Sequence, residues 1–256
     1  MCILFVALRA HPEFPLLIAA NRDEFHARPT TPSGFWPAAP GILAGKDLQA
    51  GGTWMGVSED GRVAALTNIR EPSQHKANSP SRGHLVSGYL TNTTPQDYAA
   101  ALKRSKTAYN GYNLLFGNWQ NLAVYNNKRD ELTMLTDGIY GLSNADIHSP
   151  WPKTSKGVAR LTQFCQQGQT NTEILFSLLK DDVPAEDHLL PSTGVAKEWE
   201  KRLSAIFIQS EQYGTRTSTL LMVNKHAQAS WYERSFSASG VVYKDVSFHF
   251  PLREYL

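Results

Sequence analysis

Residues 2–25 constrain this chain more than any other stretch. Cys2-Ile3-Leu4-Phe5-Val6-Ala7-Leu8 is a run of strand formers, and Arg9 to Pro15, with prolines at 12 and 15, breaks it. Leu16-Leu17-Ile18-Ala19-Ala20 resumes the apolar pattern and runs directly into Asn21-Arg22-Asp23-Glu24. Two such strands on either side of a short break predict a β-hairpin. Near-continuous hydrophobicity, without a polar residue at alternate positions, means that both faces of both strands are covered. Chain ends normally fray, so an apolar strand beginning at residue 2 places that residue inside the protein.

The rest of the chain alternates blocks of strands and helices. His26 to Gly52 carries Pro29, Pro32, Pro37 and Pro40 and reads as a long irregular loop of the kind that walls a pocket. Strands are expected at 53–57 and 63–67, joined by a turn ending in Gly61. Helices are expected at 81–90 and at 96–108, the second opened by Thr94 as N-cap and Pro95 at the first helical position. Strands at 113–116, 122–125, 132–136 and 139–142 precede helices at 155–167, 172–179 and 195–208. Strands at 217–223, 229–234 and 241–250 complete the chain. Hairpins in place of alternating βαβ units imply an α+β fold of antiparallel sheets with helices outside, and no linker divides residues 1–256, so one domain is expected.

Composition removes several classes of function. The 25 basic and 23 acidic residues are interspersed and leave a net charge of +2. No basic stripe marks a nucleic-acid surface and no polybasic segment a membrane anchor. The opening apolar run meets Arg9 too soon for a signal core or a membrane span. Two cysteines make no disulfide framework, so a cytoplasmic protein with no transmembrane segment is expected. Glycine-rich phosphate loops, Gly-x-Ser-x-Gly, His-Glu-x-x-His and paired Cys-x-x-Cys are absent. No pair of the 8 histidines has metal-ligand spacing, so no metal site is expected. Cys165 shares a helical pattern with Leu161 and Phe164 and reads as core.

Cys2 is the residue with chemistry to offer. Removal of Met1, usual before a small residue, joins a thiol and a free α-amine on one residue. The amine titrates at about 7.7–8.0 and the thiol at about 8.5, so the amine can serve as base for the thiol. No separate histidine is then needed. The alternative is a small apolar residue in a buried strand.

Met1-Cys2-Ile3, Asn21-Arg22-Asp23-Glu24-Phe25, Gly51-Gly52-Thr53-Trp54-Met55-Gly56 and Ala65-Leu66-Thr67-Asn68 resemble, in order, the NRDE family, also called the transport-and-Golgi-organisation family. Ser81-Arg82-Gly83, Tyr109-Asn110-Gly111-Tyr112-Asn113, Tyr140-Gly141-Leu142-Ser143-Asn144 and Tyr213-Gly214-Thr215-Arg216-Thr217 extend the resemblance over essentially the whole chain. It implies the αββα four-layer sandwich of the N-terminal-nucleophile hydrolases, in particular the penicillin V acylase and bile-salt hydrolase group. It further implies Cys2 as nucleophile, Asp23 holding its amine, Asn68 and Asn144 stabilising an oxyanion, and Arg216 organising the nucleophile. In that hydrolase group an arginine stands three residues before the aspartate. Here that position is Ala20, and Arg22, two residues further on and on the same strand face, is the substitute.

Asn21, Arg22 and Glu24 follow a buried strand and are expected to line the same cavity. Phe35, Trp36 and Trp54 serve either as its apolar wall or as ordinary core. Two functions follow. One is a cysteine amidohydrolase acting on a small non-peptide amide and needing no cofactor. The other, implied by the resemblance, is a non-catalytic haem-binding or haem-trafficking protein in which Cys2, His26 or His84 ligates iron.

Overall fold

The computed structural model describes residues 2–92 and 94–253. Strands β1 (Cys2–Leu8), β2 (Leu16–Phe25), β3 (Thr30–Trp36), β4 (Ala39–Asp47), β5 (Met55–Ser58) and β6 (Arg62–Asn68) come first. Helices α1 (Gly83–Asn92) and α2 (Pro95–Ser105) follow, then β7 (Tyr112–Asn118), β8 (Asn121–Asn126), β9 (Glu131–Met134) and β10 (Gly138–Leu142). Helices α3 (Pro152–Gln166), α4 (Thr172–Leu179) and α5 (Lys197–Arg202) lead into β11 (Tyr213–Val223), β12 (Gln228–Phe236) and β13 (Val242–Pro251).

The strands form two antiparallel sheets. One has the order β10-β1-β2-β11-β12-β13 and the other runs β3 through β9 in chain order. The opening hairpin is therefore central. Its alternate residues enter two different cores. Leu4, Val6, Leu8, Leu16 and Ile18 meet Leu43, Val57, Val63 and Leu115 of the second sheet. Ile3, Phe5, Ala7, Leu17 and Ala19 meet Leu161 and Phe164 of α3 and Leu175 of α4. On the far side Ala64, Leu114 and Phe116 pack against Val86 and Tyr89 of α1. Helix, sheet, sheet, helix is the resulting layer order, as the family resemblance implies. Cys165 is buried with Leu161 and Phe164, in the core.

Two local expectations need correction. Residues 26–52 contain the hairpin β3–β4 and are not an irregular loop. Pro32 misled because β3 is the edge of its sheet, where a missing N–H costs no ladder bond, and Pro40 stands in β4 before its pairing with β5 starts at Ile42. Pro32 lies where the register shifts between Thr31 and Gly34, and Pro37 in the turn. The helix expected over 195–208 ends at Arg202. Beyond it the backbone is claimed by tertiary partners: Asn21 Nδ2 donates to the Ile206 carbonyl at 2.9 Å, the Phe207 N–H donates to the Asp181 carbonyl at 2.8 Å, and the Ile208 N–H donates to Thr215 Oγ1 at 2.9 Å.

Candidate active site

A cavity of about 360 Å³ opens where β1 begins and β2 ends. Cys2, Arg22, Asp23 and Glu24 border it on one side, with Trp54, on the loop that leads into β5, and Asn68, at the end of β6, also among its lining. Cys2 pairs directly with Arg22 across the β1–β2 ladder. Strand alternation puts both side chains on the face between the sheets, where the Arg22 guanidinium lies over the Trp54 ring at 4.3 Å. The motif glycines bring the rest of the lining in. A methyl at Gly52 would sit 2.5 Å from the Gly83 carbonyl carbon, so two backbones meet there and fix Trp54 beside Arg82. Burial pushes the Cys2 thiol above its ordinary value, with Asp23 pushing the same way.

Behind this wall lies a polar cluster built from distant parts of the chain. Asp23 accepts from Thr215 Oγ1 at 2.8 Å, and burial raises its carboxyl while Lys153 opposes that rise. Asn144 Nδ2 donates to the Asn68 carbonyl at 3.0 Å and reaches the Cys2 carbonyl at 3.5 Å. Its Oδ1 accepts from Lys153 Nζ at 3.2 Å. Arg70 pairs with Glu200 at 2.6 Å with both side chains 4% exposed, and Thr193 donates to Glu200 through its N–H and hydroxyl at 2.7 and 2.6 Å.

Lys153 is the unexpected member. Burial pulls its ammonium from an ordinary 10.5 down to about 7, with Arg70 acting in the same direction and Asp23 against it. Between those values the unfolded chain holds a proton there that the folded chain has released. Its contribution to stability therefore rises with pH across that window, and below about pH 7 the cost of burying the charge is complete. Melting temperatures of wild type and Lys153→Met, compared from about pH 7 to 10.5, are expected to shift in favour of the wild type as pH rises. A gap that does not change with pH would refute the lowered lysine.

Of the residues singled out in the sequence, Cys2, Arg22, Asp23, Glu24, Trp54 and Asn68 meet at the cavity. Others do not. Asn21 faces the helices, donating to the carbonyls of Leu179 and Ile206 and accepting from Ser218 Oγ at 2.6 Å. Strand alternation turns the Asn21 and Asp23 side chains to the face opposite that of Arg22; of the two only Asp23 still borders the cavity, while Asn21 is taken up by the carbonyls it bonds. Asn144 sits behind the cavity with its amide directed at backbone carbonyls. Arg216 lies in a bulge, where pairing passes from Asp23–Thr215 to Arg22–Thr217, and its Nη1 donates to the carbonyls of Phe25, His26 and Arg28 at 2.8, 3.2 and 3.1 Å. It holds the turn after β2 instead of facing Cys2. Trp36 packs toward α1 and donates from Nε1 to the Ala44 carbonyl at 3.1 Å, and Phe35 packs edge-on against Phe248 and Phe250.

Among the three residues suggested for a haem iron, only Cys2 lines the cavity. His26 bonds to the Ser210 carbonyl at 3.1 Å, and exposed His84 bonds to the Ala50 carbonyl at 2.5 Å. A wall of arginines, lysine and carboxylates does not fit a macrocycle, which asks for an apolar slot. Among the described residues no three His, Cys, Asp or Glu side chains are grouped to hold a metal ion, and no helix is long and apolar enough to cross a membrane. Sequence reasoning missed Arg82, which lines the cavity from a quoted motif, and Lys153, Arg70 and Glu200, for which no local signal exists.

Two facing antiparallel sheets between helix layers, with a cysteine at the start of a central strand, define an N-terminal-nucleophile-hydrolase fold. The structure is similar to that of the Caenorhabditis elegans N-acylethanolamine-hydrolyzing acid amidase ortholog, with a TM-score of 0.52 over 86% of this chain and 92% of that one, at 11% identity. It is also similar to a variant of the conjugated bile acid hydrolase from Clostridium perfringens, with a TM-score of 0.50 over 100% and 99% of the two chains, at 9% identity. Likeness at such identity speaks for the fold. The chain belongs to the Transport and Golgi organisation 2 family, whose model matches residues 1–238. It is 32% identical to the Transport and Golgi organization 2 homolog of Mus musculus over 92% of this chain and 93% of that one, and 32% identical to the Homo sapiens homolog over 100% and 98%. The Drosophila melanogaster relative is 26% identical over 93% of each chain.

Proposed function

We propose that this protein is a cysteine amidohydrolase of N-terminal-nucleophile type acting on a small non-peptide amide. The observation that carries the reading is that Cys2 and Asp23 border one cavity from adjacent strands, with Asn68 reaching it from the facing sheet. Removal of Met1 exposes the amine of Cys2, which takes the thiol proton. The thiolate attacks the amide carbon, and the carbonyl π pair moves onto oxygen, where the Asn68 amide offers a donor. As the C–N bond breaks, the amine returns its proton to the leaving nitrogen, leaving an acyl thioester. Water attacks the thioester and gives a proton to the amine, the C–S bond breaks to release the acid, and the ammonium returns that proton to the departing thiolate, restoring thiol and amine. Asn144 acts as a positioning residue through the carbonyls of Cys2 and Asn68, which amends the oxyanion role implied by the family resemblance.

The relatives named above support the reading at the level of fold, and the C. elegans and C. perfringens proteins are described as an acid amidase and a bile acid hydrolase. Intact mass of the purified protein is the first measurement. A mass lacking Met1 is expected, and retention would remove the base. Cys2→Ala is then expected to abolish turnover of N-acyl amides while keeping the melting temperature close to wild type. Turnover that persists in Cys2→Ala would reject the mechanism.

A further inference from the structure

Arg22 is 5% exposed and lines the cavity beside Cys2; among the described residues its side chain makes no hydrogen bond or ion pair, and its Nη1 is buried without a partner. Its guanidinium lies over the face of Trp54, and Glu24 and Asp47 act on its charge only from a distance. Burying a guanidinium without an anion is costly. The neighbouring groups are otherwise engaged. Arg28 donates to Asp47 Oδ2 at 3.0 and 2.6 Å. The Glu24 carboxylate accepts from the Phe25 N–H at 2.9 Å and lies 4.0 Å from Arg28. Lys76 Nζ donates to the Thr107 carbonyl at 3.0 Å. Glu233, buried on β12, accepts from the Ser33 N–H and hydroxyl, each at 2.7 Å, and from Thr219 at 3.2 Å. Arg82, also lining the cavity, gives a single bond, to the Gly111 carbonyl at 2.9 Å.

We infer that the cavity is built for an anionic ligand, and that Arg22, over the Trp54 ring and lining the cavity with Arg82, takes a carboxylate or phosphate oxygen of the molecule presented to Cys2. A planar guanidinium fits such a group in two parallel bonds, and a fixed aromatic platform keeps its orientation without the entropy cost of a free side chain. The inference rests on the amidohydrolase reading for the position of the reacting amide. It places the charge of the substrate next to the scissile bond, so neutral amides of the same chain length are poor ligands.

The test is calorimetric titration of the full chain with N-octanoylglycine and with its neutral counterpart N-octanoylethanolamine, and of inorganic phosphate as competitor. N-Octanoylglycine is expected to bind on the order of tenfold or more tightly than the neutral amide. Arg22→Gln is expected to abolish that difference. In anion-free buffer Arg22→Gln is expected to melt at or above the wild type, because it removes a buried charge that has no direct ion-pair partner. Displacement of N-octanoylglycine by phosphate would extend the ligand class to phosphates, and its failure would limit the class to carboxylates. Equal affinity for the two amides, or a preference that survives Arg22→Gln, would overturn the inference. A variant that melts lower or does not fold would assign Arg22 to structure and overturn it as well. Anion-dependent binding without hydrolysis would count against the amidohydrolase alone, whereas hydrolysis indifferent to charge would count against the anion site alone.

Discussion

Replacing Glu200 with alanine is expected to lower the stability of this protein by about 3–5 kcal/mol, because it strands the Arg70 guanidinium in the interior. Both side chains are 4% exposed, so solvent cannot replace the lost partner. The Thr193 N–H and hydroxyl lose their acceptor in the same step. At about 2–4 °C per kcal/mol for a chain of this size, the melting temperature should fall by on the order of 10 °C. Arg70→Met combined with Glu200→Met should recover most of that loss, since a buried pair replaced as a unit leaves no orphan charge. Chemical denaturation of Arg70→Met, Glu200→Met and the double variant closes the cycle, with Glu200→Ala measured beside them. Equal losses in the Glu200→Ala and double variants would mean that packing, not charge, governs this corner.

Gly52→Ala is the second large effect. The added methyl would lie 2.5 Å from the Gly83 carbonyl carbon, 2.7 Å from its oxygen and 2.8 Å from the His84 nitrogen. All three are backbone atoms, so no side-chain rotation relieves the collision. Overpacking of this kind costs about 1–3 kcal/mol or more. Because the loop carrying Thr53 and Trp54 must then part from the segment carrying Arg82, amide binding should fall together with stability. Gly34→Ala is the control: open space surrounds its Cβ position, and stability within about 0.5 kcal/mol of wild type is expected. A Gly52→Ala protein as stable as the Gly34→Ala control would show that the two backbones are not held in contact.

The cluster behind Cys2 also explains why conservative reasoning about single residues goes astray here. For Asn144 the family resemblance implies an oxyanion role. Its hydrogen atoms are nevertheless directed at the carbonyls of Asn68 and Cys2, while its oxygen receives Lys153. Holding the first residue of a central strand in place is itself a demand, because a chain end frays unless it is tied down. Asn144 makes that tie. Asn68, on β6 of the facing sheet, is left as the amide that borders the cavity.

By itself the sequence determined the central hairpin, the layered class and one wall of the site. Uninterrupted apolar residues at 2–8 and 16–20 require cover on both faces, and the polar tetrad at 21–24 ends that strand at a cavity. These are local patterns, legible because a strand covered on both faces loses the polar residues that would otherwise alternate along it. Tertiary structure alone decided which members of the tetrad share the cavity, since Arg22 and Asn21 differ by one position on a pleated strand and face opposite layers. It also decided that the proline-rich segment forms the edge hairpin β3–β4, because an edge strand tolerates what a central one cannot. Lys153, Arg70 and Glu200 read in the sequence as ordinary charged residues. They become a buried cluster only because α3, α5 and the end of β6 converge behind Asp23, and charge pairing at that sequence separation leaves no trace in composition or spacing.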